Sequence, residues 1–122
     1  MATTDLTFKE FGKTVEENDI VLVDFWAAWC GPCRMFSPIY EKASENHPDV
    51  VFGKVDTEAE QQLAAAAQIS SIPTLMAFRQ GIAVFRHSGV LQAEALDDVI
   101  EQIKGLDMDE VRQQIAEAEE QK

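Results

Sequence analysis

Cysteine is scarce in this chain of 122 residues: Cys30 and Cys33 are the only two. A framework of several disulfides is therefore excluded, and so is an all-cysteine zinc site. Histidine is no more abundant. Only His47 and His87 could join the two sulfurs around a metal, and neither stands at finger spacing, so zinc is disfavoured. Basic residues are few as well, with 10 Lys and Arg against 22 Asp and Glu and a formal charge of -12. Such a surface repels phosphate backbones and anionic lipids, so neither nucleic acid nor a membrane is expected as a partner. No apolar run reaches the roughly 20 residues that span a bilayer. The first residues, Met1 to Asp5, lack a basic region followed by an apolar core, and a cytoplasmic protein is expected.

What the chain does have is 46% hydrophobic residues, enough for one compact domain with a sizeable core. The two cysteines stand three positions apart, as Cys30-Gly31-Pro32-Cys33, directly after the apolar run Ile20 to Trp26. Closing so short a loop removes little unfolded-state entropy, so a purely structural staple is a poor explanation of the pair. A reversible dithiol at the junction of a strand and a helix explains it better, and disulfide exchange is the leading chemistry.

Periodicity supplies the surrounding elements. Thr7 to Glu10 matches a capping box ahead of Phe8, Phe11 and Val15, which predicts a helix over 8–17. Residues 20–26 read as a strand apolar on both faces, central in a covered and largely parallel sheet. Pro32 suits the first turn of a helix running to about His47, with Phe36, Ile39, Tyr40 and Ala43 on its apolar face and Pro38 kinking it. A second buried strand is expected over 50–56. Thr57 to Glu60 matches another capping box, opening a short alanine-rich helix through Ala67. Thr74 to Phe78 and Ile82 to Phe85 read as antiparallel strands joined through Gln80-Gly81. Leu96, Val99, Ile100 and Ile103 mark a helix ending at Gly105, and Asp107 to Glu110 opens one more. The order is β, α, β, α, β, α, β, β, α with an appended helix, an α/β fold.

Trp26-Ala27-Ala28-Trp29-Cys30-Gly31-Pro32-Cys33, followed by Ile72-Pro73-Thr74 and by Gly89, resembles the thioredoxin family over about residues 5–104. The resemblance implies a central mixed sheet flanked by helices, protein-disulfide reductase activity and no tightly bound cofactor. It implies disulfide-containing target proteins and a thioredoxin reductase as partners, with the chain itself a monomer. Cys30, ahead of a helix whose free N–H groups favour a thiolate, is the expected nucleophile; Cys33, further in and more covered, is the expected resolving thiol. Gly31 and Pro32 keep the bridge short, and this pair is associated with reductants in the family.

Asp24, inside an apolar strand, is expected to hold its proton unusually tightly and to exchange it with Cys33. Lys54 matches the family position facing that acid. Pro73 matches the family's cis-proline, which would set the Ile72 backbone opposite the cysteines for strand-like contacts with a bound peptide. Trp29, Gly31, Pro32, Ile72, Gly89 and Val90 would then form an apolar patch around the sulfur, with Trp26 packed beneath it and Ser71 able to alter substrate preference. His47 and His87 are read as surface or capping residues.

The departure from the family is the tail. Residues 1–105 are expected to form the thioredoxin domain and 106–122 a helical extension of it, whose stripe Met108, Val111, Ile115 and Ala118 packs on the same domain, on a second copy or on a partner. A binding module that uses the patch without turnover is the alternative function. An oxidase or isomerase is disfavoured by Gly31-Pro32.

Overall fold

The computed structural model describes residues 2–121. Met1 and Lys122, the outer ends of the two expected segments, lie outside them. The elements are β1 (Thr3–Asp5), α1 (Phe8–Glu17), β2 (Ile20–Trp26), α2 (Gly31–Asn46), β3 (Val51–Asp56), α3 (Gln61–Ala66), β4 (Thr74–Arg79), β5 (Ile82–Ser88), α4 (Ala93–Lys104) and α5 (Met108–Glu120).

The strands form one sheet in the order β1-β3-β2-β4-β5, with β1, β3 and β2 parallel and β4 and β5 antiparallel. This is the mixed sheet expected from the change of pattern after Pro73. Because β2 is central, its side chains are covered on both faces. Ile20 and Leu22 pack with Phe36, Tyr40, Leu96 and Ile100 of α2 and α4. Val21, Val23 and Phe25 pack on the opposite face with Val15 and Leu63 of α1 and α3. Asp24 falls in this pattern where an apolar residue would otherwise sit.

Local chemistry sets several boundaries. The Glu10 carboxylate accepts from the Thr7 backbone N–H and hydroxyl at 3.3 and 2.8 Å, so the first capping box contributes as expected. The second does not form. Asp56 Oδ1 takes the N–H groups of Glu58 and Ala59, Thr57 donates its hydroxyl to Trp26 O, and Glu60 accepts from Phe8 N across the fold. Residues 57–60 are therefore a turn, and α3 starts later, at Gln61, and ends at Ala66. Gln80 and Gly81 both take positive φ, 52° and 81°, as a tight hairpin requires. Gly105 caps α4 in the right-handed region at φ -87°, so its freedom to adopt positive φ is not used there. His47 is more than a surface cap: its Nε2 lies 3.1 Å from Asp97 Oδ1 and its Nδ1 3.1 Å from Lys104 Nζ, which ties α2 to α4.

Candidate functional site: a dithiol pair at a helix start

The end of β2 and the start of α2 place the two cysteines. Cys30 is the N-cap of α2 and Pro32 stands in its first turn, where a missing N–H costs nothing. Cys30 and Cys33 are joined as a disulfide, with their Cα atoms 5.2 Å apart. The Cys33 backbone N–H donates to Cys30 Sγ at 3.2 Å, so the first turn already directs a donor at that sulfur. Both cysteines are almost fully covered, at 4% and 3% exposed. In the disulfide form the two are covered almost equally, with Ile72 packed against both.

Ile72 comes from the loop before β4. The Ile72-Pro73 peptide is cis, and Cys30 Sγ lies 3.7 Å from Ile72 O. Ile72 packs against the cluster of Ala27, Cys30 and Cys33. Gly89 N donates to Pro73 O at 2.8 Å from a backbone at φ +105°, a conformation that favours glycine. Val90 is half-buried against the α2 and α4 side of the core. Ser71 is exposed, and its carbonyl accepts from the buried Thr74 hydroxyl at 2.6 Å.

Trp29 is 67% exposed beside the disulfide, with Gly31 half-buried and Pro32 exposed next to it. Its indole N–H donates to Glu58 Oε1 at 2.6 Å. Sequence reading missed Glu58; the one available signal was its place two residues beyond the strand that pairs with β2. Arg34 was missed too, and its guanidinium donates to Ala28 O at 2.9 Å, bracing the loop that carries Trp29.

Behind Cys33 is a cavity of about 90 Å³ lined by Asp24, Trp26, Cys33, Arg34, Ser37 and Lys54 among others. Neither Asp24 oxygen has a hydrogen-bond partner, and the carboxyl is 1% exposed. Desolvation raises its pKa from the usual 3.8 to about 7, and the charge of Lys54 pulls it part of the way back. Lys54 stands in register with Asp24 on β3, yet its ammonium lies 4.9 Å from the centre of the Trp26 ring. The two make no salt bridge; lysine and acid share a cavity rather than a bond. Trp26 is half-buried with its indole N–H unpartnered in the same region. Among the described residues no group of three or more His, Cys, Asp or Glu is arranged to hold a metal.

Residues 2–102 match the thioredoxin family model. A protein assigned as thioredoxin 2 of Streptomyces coelicolor is 58% identical over 120 residues, which is 98% of this chain and 90% of that one. Its match therefore takes in α5, which lies beyond the family model. A mutant thioredoxin of Halobacterium salinarum superposes with a TM-score of 0.80 at 35% identity, covering 85% of this chain and 92% of its own. Oxidised mitochondrial thioredoxin 3 of Saccharomyces cerevisiae gives 0.76 at 32%, covering 82% and 94%.

Proposed function

The chain belongs to the thioredoxin family and is a protein-disulfide oxidoreductase working through Cys30 and Cys33; on that premise we propose how its residues divide the work. The Cys30 thiolate attacks one sulfur of a target disulfide, forming an S–S bond to that sulfur and releasing the other as the target's first thiolate. Cys33 gives up its proton to the Asp24 carboxylate and attacks Cys30 Sγ. The mixed disulfide breaks, the second target thiolate leaves, and Cys30 ends bonded to Cys33. Two electrons have passed to the target. A thioredoxin reductase then returns two electrons to the pair, so the chain is an electron carrier between that donor and many acceptors.

The observation that carries this reading is the first turn of α2, where a backbone N–H meets Cys30 Sγ at 3.2 Å while Asp24 and Cys33 line one cavity. The N–H and the helix dipole favour sulfur as an anion. A carboxyl with a pKa of about 7 is matched to taking and returning a proton near neutrality. Lys54 tunes that acid by its charge. Pro73 sets the Ile72 backbone to meet an extended target strand, while Trp29, Gly31, Pro32, Gly89 and Val90 make the surrounding contact patch.

Among the described residues no helix is long and apolar enough to cross a membrane. We place the protein in the cytoplasm, where a dithiol of this kind can be kept reduced. Residues 1–105 form the exchange domain, 106–122 its extension, and the working form is a monomer.

Insulin-disulfide reduction tests the division of roles. Cys30→Ser abolishes turnover. Cys33→Ser leaves a mixed disulfide that accumulates on Cys30 and is detected by mass. Turnover surviving in Cys30→Ser, or trapping on Cys33, would reverse the assignment.

A further inference from the structure

Asp24 and Trp26 bring three buried polar atoms into one place without partners. Both carboxyl oxygens and the indole N–H are unpaired, and both residues line the cavity of about 90 Å³ behind Cys33. A cavity holds water when it offers roughly 10–15 Å³ for each molecule and two to four polar partners, and this one meets both conditions. Water is the occupant that such a lining takes.

Ser37 carries the one hydroxyl in that lining. It follows Cys33 by four positions on α2, so the two side chains lie one turn apart on the same face of the helix. The neighbouring polar side chains of α2 are committed elsewhere: Arg34 donates to Ala28 O at 2.9 Å, Tyr40 to Gly53 O at 2.8 Å and Ser44 to Glu41 O at 2.5 Å. Among the described residues Ser37 makes no such bond. Its hydroxyl is left to the cavity.

Burial gives the cavity a direction. Asp24 and Cys33 are buried, Ser37 and Lys54 half-buried and Arg34 exposed, so the hydroxyl stands between the closed end and solvent. Lys54 is drawn aside, its ammonium 4.9 Å from the centre of the Trp26 ring, and an ammonium has no lone pair with which to accept a hydrogen bond. A serine hydroxyl donates and accepts. It can therefore hold one water while that water first takes a proton and then gives one up.

We propose that Ser37 is a positioning residue of the resolving step, its hydroxyl fixing the water through which the Cys33 proton reaches Asp24. The inference rests on Asp24 being the acceptor of that proton. The Cys33 S–H bond breaks as its proton passes to the water, and the water gives a proton to an Asp24 oxygen, where one O–H bond forms. No electrons leave the protein in this step. The Cys33 thiolate then attacks Cys30 Sγ.

The test mixes the reduced protein rapidly with a chromogenic aromatic disulfide. The first thiol released reports attack by Cys30, and the second reports resolution by Cys33. Ser37→Ala places the strongest helix former at a half-buried site and keeps α2 intact. It is expected to slow the second phase about fivefold at about pH 8, the effect of one lost hydrogen bond, with the first phase unchanged. Below about pH 6 the Asp24 carboxyl already holds a proton, and the slowing disappears. Ser37→Thr keeps the hydroxyl and restores the rate. In an Asp24→Asn background Ser37→Ala adds nothing further. The inference is overturned by an unchanged second phase in Ser37→Ala, by equal slowing at both pH values, by Ser37→Thr as slow as the alanine variant, or by slowing that adds in full to that of Asp24→Asn. A second phase unchanged in Asp24→Asn itself would remove the acceptor, and the role of Ser37 with it.

Discussion

Asp24 holds its proton to about pH 7 because its carboxyl is buried without a hydrogen bond, and this has a sign that can be measured. The unfolded chain releases the proton near 3.8 and the folded one near 7, so between those values the folded state binds more protons. Stability contributed by the neutral acid is complete below about pH 4 and is lost as pH rises through 7. Asp24→Asn removes that loss. Urea unfolding should show the variant more stable at pH 8 by up to about 4 kcal/mol, with the difference vanishing below pH 4. The same variant should resolve mixed disulfides more slowly and lose the step in rate near pH 7. Glu58 acts on a different event. Glu58→Ala leaves the Trp29 indole without its acceptor, and KM for insulin should rise about two- to fivefold with kcat little changed. An equal fall in both parameters would mean that Glu58 serves the chemistry instead.

At the scale of elements, what could be read in advance was local. The apolar run 20–26 identified the central strand, Gln80-Gly81 the hairpin, and the cysteine spacing the junction of strand and helix. Thr57 to Glu60 carried the same cap signature as Thr7 to Glu10, yet only the first forms. Glu60 and Asp56 find backbone donors elsewhere, and the Glu60 donor, Phe8 N, lies 52 residues away in the chain. Pairings of that kind, like Glu58 with Trp29, depend on which loops the sheet brings together and leave no periodic trace. Arg79 is another. Its three bonds to the end of α4 join a strand to a helix turn more than twenty residues later. Arg79→Met keeps the aliphatic stem but frees those carbonyls, and should lower stability by about 1–3 kcal/mol while exposing the α4–α5 turn to proteolysis. Unchanged proteolysis would show that α5 is held by the bond of Arg112 to Gln80 alone.

For the whole molecule, an excess of twelve negative charges governs encounter more than it governs fold. Targets with basic surroundings at their disulfides should be reduced more slowly as salt rises, and acidic targets faster, with the two rates converging at high ionic strength. Rates that respond to salt equally for both target types would place the controlling charges at the exchange patch itself. In the proposed role that patch is apolar, through Ile72 and the exposed Trp29, so it offers recognition that does not depend on one target sequence.

The proposed division of roles depends on the first turn of α2 favouring Cys30 as a thiolate once the bridge is opened. The most direct measurement is the alkylation rate of Cys30 by iodoacetamide at pH 7, made on the Cys33→Ser protein and compared with an unstructured peptide of the same local sequence. The expected result is a rate several-fold above the peptide's. A rate equal to the peptide's would contradict the assignment of Cys30 as the attacking sulfur.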